Sequence, residues 1–313
     1  MEDSPAPLLS QRAVTAIAYG LMIFGVVSYF RPTEGPSGFE IAPGRWADRL
    51  SAIAMLAGMG LRVLAEAAPR LRQRLFTPRS PLPQTPIELF EAPLWILVFF
   101  GLMIGMSLAA GAVASALQDD MKVVALFGCD GFGRLLFLLI LAMAMKRRGL
   151  VFDRVFGITL SRGDLGAAPL AFLLETPLAL AGVYASQLLL SHFGKTIALQ
   201  EVGQKVYNAG WWGSLAAVVV IVGIVPVVEE VLFRGILYRA LRGHYGVGFS
   251  VVVSAVFFSM AHMQPEYFLA LLTIGAALAI TYERTGRLTT CVALHGAINL
   301  TAVVMIFLSK MKT

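Results

Sequence analysis

The stretch Ile221-Val-Gly-Ile-Val-Pro-Val-Val-Glu-Glu-Val-Leu-Phe-Arg-Gly-Ile-Leu-Tyr238 decides how this chain is read. Eight uncharged residues lead into two adjacent carboxylates, Glu229 and Glu230, and three apolar residues separate these from Arg234. Charge inside so apolar a run is costly and calls for a partner. Neighbouring residues of a helix point about 100° apart, so the two glutamates are not expected to share one role. Glu230 lies four residues before Arg234, the spacing of a favourable pair on one helix face. Glu229 has no such local partner, and a carboxylate left to point elsewhere in a dry setting suits a general base. The plainer reading of these residues alone is a cluster of charges at a helix end.

The rest of the chain fixes the setting. Of 313 residues, 58% are hydrophobic and only 14% charged, against about 25% charged in soluble domains. A soluble globular domain, a disordered tail and a fibrous repeat are thereby excluded. Apolar runs near 13–30, 50–66, 92–117, 121–145, 165–190, 211–228, 245–262, 267–282 and 288–308 approach or exceed the length needed to cross about 30 Å of hydrocarbon. The runs at 245–262 and 267–282 are short, so one of the nine is a candidate interfacial or re-entrant helix. Ten-residue alternation is absent, which leaves helices as the spanning element. The expectation is an all-α, polytopic transmembrane bundle of eight or nine spans.

Lys and Arg number 25 against 19 Asp and Glu, a net charge of +6. In this setting the excess points to membrane topology, not to nucleic acid. Counted over the nine-span layout, fifteen bases fall on one side and eight on the other, so the N-terminus is expected in the cytoplasm. The acidic start Met-Glu-Asp-Ser-Pro lacks the basic region of a cleaved signal peptide. Cys129 and Cys291 both lie in apolar stretches and suggest neither a disulfide framework nor a thiolate metal site. The proline-rich stretch from Pro78 to Pro86 reads as a stiff connector within an N-terminal helical region, 1–164. A helical core then occupies 165–308 and a short tail 309–313. A second polar break covers 146–164, and 193–210 is expected at the interface, just before Trp211 and Trp212.

Other ionisable residues at membrane depth sort into pairs and singletons. Arg62 with Glu66, and Asp130 with Arg134, have the i to i+4 spacing that allows mutual neutralisation. Glu175 stands alone two residues before Pro177. His262 closes the stretch Phe258-Ser-Met-Ala-His262, where a bond to backbone is the ordinary expectation. His295 and Asn299 share one face of the last apolar run. His192 and His244 sit beside glycines in loop-like context.

A carboxylate, two imidazoles and an amide converging from three helices can activate water and stabilise an oxyanion. The GxSxG elbow, the HExxH zinc motif, the EF-hand and the P-loop are all absent. Glu229, His262 and His295 are also a possible zinc set, since His₂Glu sites exist. Under either scheme Asn299 has the substrate-orienting or oxyanion task.

These residues resemble a known family. Glu229-Glu230-x-x-x-Arg234, Phe258-x-x-x-His262 and His295-x-x-x-Asn299 look like the three motifs of the CPBP intramembrane proteases. That family includes the CAAX prenyl endopeptidases and bacterial proteins linked to bacteriocin processing and immunity. Phe233-Arg234-Gly235 after the glutamates is typical of it too. The resemblance covers roughly 165–308, less than half of the chain. It implies that Glu229 and His262 activate the attacking water, that His295 and Asn299 hold the oxyanion, and that Glu230 and Arg234 are a supporting pair. It further implies a glutamic endopeptidase without a cofactor, acting on a membrane protein or peptide. Zinc chemistry on the same residues, or a non-catalytic immunity, chaperone-like or transport role, are the alternatives. Nothing in the chain reads a prenylated tail.

Overall fold

The computed structural model describes residues 87–158, 162–192 and 201–310, and every regular element among them is helical. In chain order these are α1 (Glu91–Ser115), α2 (Asp119–Arg147), the short α3 (Phe152–Phe156), α4 (Arg162–His192), α5 (Glu201–Asn208) and α6 (Trp211–His244). Then come α7 (Val247–Ala261), a single 3₁₀ turn (Pro265–Tyr267), α8 (Phe268–Thr285) and α9 (Leu288–Lys310). The Arg62–Glu66 pair, the Pro78–Pro86 connector and the apolar runs at 13–30 and 50–66 lie outside the described residues.

The all-α architecture follows from apolar runs whose backbone groups must find partners within the run. The span count differs from expectation. Among the described residues, five helices are long and apolar enough to cross a membrane, not eight or nine. They are Glu91–Ser115, Asp120–Arg147, Trp211–His244, Pro265–Thr285 and Leu288–Lys310. The run at 245–262 folds into the 15-residue α7, which rises only about 22 Å. Conversely, the run expected at 211–228 continues to His244 as one 34-residue helix, because Arg234, Arg239 and the glutamates are buried by neighbouring helices and do not end it. The 165–190 run lies inside α4, a continuous 31-residue helix not among the five. The side chain of Glu175 is outside the described ones.

Helix α6 is the axis of the bundle. Its residues Val228, Val231, Leu232, Phe233, Ile236 and Tyr238 are buried in the main apolar core. At its N-terminus the Asp120 carboxylate of α2 accepts the amides of Trp212 and Gly213, at 3.0 and 2.8 Å, satisfying donors that a helix start leaves orphaned. Trp211 and Trp212 are exposed there, as interfacial indoles are. At its other end the Arg239 guanidinium donates to the carbonyl of Val155, and Phe156 packs on Gly235, where a Cβ would come within 2.5 Å of the ring. Within the polar segment 146–164, α3 is thus seated against the core, with Val155 and Phe156 both buried.

Helices α4 and α8 meet backbone to backbone. A Cβ on Gly182 would lie 2.7 Å from the Ala270 Cα and 2.9 Å from the Leu269 carbonyl oxygen. Backbone cannot swing aside as a side chain can, so Gly182→Leu must push the helices apart. It is expected to destabilise the bundle by about 1–3 kcal/mol, read as a lower SDS midpoint for unfolding in mixed micelles.

Candidate active site

Two stretches of α6 depart from α-helical winding, Val219–Ile224 and Val231–Tyr238, and both are π-helical. Glu229 and Glu230 end the α-helical turn between them. Wide turns of this kind shift side-chain directions and loosen the backbone ladder, and they favour functional positions. Within the first of them the Ile221 carbonyl accepts the Asn299 amide of α9 at 2.8 Å.

Glu230 is fully buried. Its Oε1 accepts from Arg234 Nη1 at 2.9 Å, the pair expected from spacing, and also from His295 Nδ1 at 2.8 Å. Arg234 extends its second terminal nitrogen to the Gly275 carbonyl of α8 at 2.8 Å and lies over the Phe258 ring, 4.6 Å from its centroid. With Nδ1–H committed to a carboxylate, the His295 tautomer is set, and its Nε2 is turned toward Glu229, 4.0 Å from Oε2. The two glutamates therefore do share a partner. The expected separation of their roles does not extend to separate surroundings, because one imidazole is wide enough to reach both carboxylates.

Glu229 is only 8% exposed. Its Oε1 accepts from Arg134 Nη1 of α2 at 3.1 Å, whereas its Oε2 is buried without a hydrogen-bond partner. Arg134 also donates from Nε to Asp130 at 2.8 Å. The local Asp130–Arg134 pair is thus present but is half of a larger cluster. Spacing pairs Arg134 with Asp130 alone and gives no sign of the second acid, yet five donors on one guanidinium can serve two.

His262 follows the last residue of α7, half-buried, and its Nδ1 donates to the Phe258 carbonyl at 2.8 Å. The backbone bond expected for a lone histidine is made, and it leaves Nε2 as the free acceptor. The Phe258 ring stands beside both imidazoles, 4.9 Å from His262 and 5.8 Å from His295. The next residue, Met263, has φ 54°, the left-handed region, and is the sole non-glycine described with positive φ. A methionine there costs about 1–3 kcal/mol, a strain of the kind held at functional sites.

Glu229, Glu230, Arg234, Arg134 and His295 thus form one buried hydrogen-bonded and ionic cluster, with His262 beside it. Asn299, one turn beyond His295, is tied to backbone. Among the described residues, no group of three His, Cys, Asp or Glu is arranged to hold a metal ion. In the possible ligand set Glu229, His262 and His295, the two Nδ1 atoms face a carbonyl and Glu230, which leaves the Nε2 atoms as the ones that could bind.

Residues 211–301 match the family described as type II CAAX prenyl endopeptidase Rce1-like. All three motifs fall within that match, and the stretch is CAAX-protease-like; α1 and α2, with Arg134, lie outside it. The chain is 30% identical over 80 residues to a Bacillus subtilis (strain 168) protein named "Putative membrane peptidase YdiL". That alignment covers 26% of this chain and 33% of the relative, so the chain spans about a third of the length of the curated protein it matches. No solved structure matches it.

Proposed function

We propose that this integral membrane protein is a glutamic intramembrane endopeptidase that hydrolyses a peptide bond in a membrane-associated protein or peptide. The observation that carries the reading is the buried Glu230–His295–Glu229 alignment, in which one imidazole is anchored on one carboxylate and aimed at another whose second oxygen is unpartnered.

In this reading Glu229 Oε2 takes a proton from water, and the oxygen of that water bonds to the scissile carbonyl carbon. The 4.0 Å between Oε2 and His295 Nε2 exceeds a direct hydrogen bond and suits a bridging water. His262 Nε2 is the second acceptor for that water. Negative charge then collects on the former carbonyl oxygen. His295 meets it through Nε2–H when the ring carries both protons, and Asn299 through the N–H not given to Ile221. Collapse breaks the C–N bond, and the proton held by Glu229 passes to the leaving amine. Glu230 and Arg234 hold His295 and the α6–α8 contact in register. The basic residues Lys146, Arg147 and Arg148 that close α2 favour a cytoplasmic location for that end.

The test compares peptide termini in membranes from a host lacking this protein and complemented by wild type or by Glu229→Ala at matched levels. Termini found only with wild type support hydrolysis and name its substrate; identical sets with full membrane-proteome coverage refute it. The same membranes treated with a chelator are expected to keep producing those termini. A loss reversed by added zinc would transfer the residues to the metal-dependent alternative.

A further inference from the structure

Helix α2 wedges between α1 and α6. Gly131 brings it against α6, where an added Cβ would sit 3.0 Å from Val220 and 3.3 Å from Ile224. Three residues later Arg134 points into the site and is held from three sides. Asp130 takes its Nε, Glu229 takes Nη1, and the Phe99 ring of α1 lies 5.6 Å from its guanidinium carbon. Neutralising Asp130 would not require this fork, since Asp130 is 36% exposed on its side chain whereas Arg134 is only 14% exposed. The geometry instead serves Glu229. A terminal carboxylate torsion is broad, so a buried glutamate can turn its plane freely, although its two oxygens are equivalent. Tying one oxygen to a planar, doubly anchored guanidinium fixes that plane and turns the other oxygen toward His295.

Building on the hydrolytic reading above, we infer that Arg134 is a positioning residue that fixes the Glu229 carboxylate, with Asp130 and Phe99 holding Arg134 in turn. Helix α2, outside the family match, then completes the site, and 211–301 alone would leave its base unoriented.

The experiment uses the full chain in isolated host membranes and follows the rate at which wild-type-dependent peptide termini accumulate. Arg134→Ala, Arg134→Lys and Glu229→Gln are compared at equal membrane abundance. Misorienting a reacting group costs on the order of 100-fold, and that loss is expected for Arg134→Ala. Millimolar guanidinium chloride should restore part of it, because a free guanidinium can occupy the same fork. Arg134→Lys keeps the charge without the planar two-sided geometry and should run roughly tenfold slow. A wild-type rate in Arg134→Ala, or in Arg134→Lys should the alanine variant not accumulate, overturns the inference while Glu229→Gln stays silent. A slow Arg134→Ala that guanidinium leaves unchanged marks a structural role and overturns it too. Full activity in Glu229→Gln sinks the underlying reading of Glu229 as the general base, an outcome read independently of Arg134.

Discussion

Glu229→Gln is expected to silence turnover while leaving the folded protein in the membrane. The amide is isosteric with the carboxylate, and its carbonyl oxygen can still accept from Arg134 Nη1, which reaches Glu229 Oε1 at 3.1 Å. Its NH₂ would then face His295 Nε2 where Oε2 stood, and no proton acceptor remains at that atom. Loss of a positioned general base costs about 10²–10⁴-fold. The variant should therefore fall below detection in the peptide-terminus assay and still melt cooperatively in detergent. Turnover within tenfold of wild type would remove Glu229 from the mechanism, leaving His295 and His262 as the groups to test for water activation.

Arg234→Leu is expected to have the largest effect on stability. Both partners of the Arg234–Glu230 pair are fully buried. Leucine would strand the Glu230 charge, open the Gly275 carbonyl and remove the cation over Phe258. Breaking a buried pair from one side costs about 3–5 kcal/mol, since the remaining ion has lost its compensation. Arg234→Leu with Glu230→Gln should recover part of that loss by removing the stranded charge. The comparison is made by SDS-titrated unfolding of wild type and the two variants. A single Arg234→Leu that unfolds with the wild-type midpoint would show that His295 alone compensates Glu230.

The local features of the site were readable because they depend on helical spacing. The Glu230–Arg234 pair and the Phe258–His262 carbonyl bond are both i to i+4 contacts, and a sequence displays that spacing directly. The contacts that arrange the chemistry are separated by 65 residues for His295 with Glu230 and by 95 for Arg134 with Glu229. Nothing local marks them, and Arg134 looked satisfied by Asp130. The same limit explains the span count. A hydropathy run shows where a chain tolerates lipid, but not that α7 stops at Ala261 and turns through Met263. Nor does it show that α6 carries its charged stretch on to His244.

By itself, then, the amino-acid order determined an all-α membrane protein, because apolar runs in lipid must satisfy their backbone internally. It also singled out the residues worth watching, because charge at membrane depth is too costly to be incidental. The tertiary structure alone decided which partner each of those residues meets. It set Arg134 against Glu229 and laid one imidazole between two carboxylates. Pairing of that kind depends on how helices distant in sequence cross, and crossing is governed by close contacts such as Gly131 against Val220 and Gly182 against Ala270, which no one-dimensional pattern records.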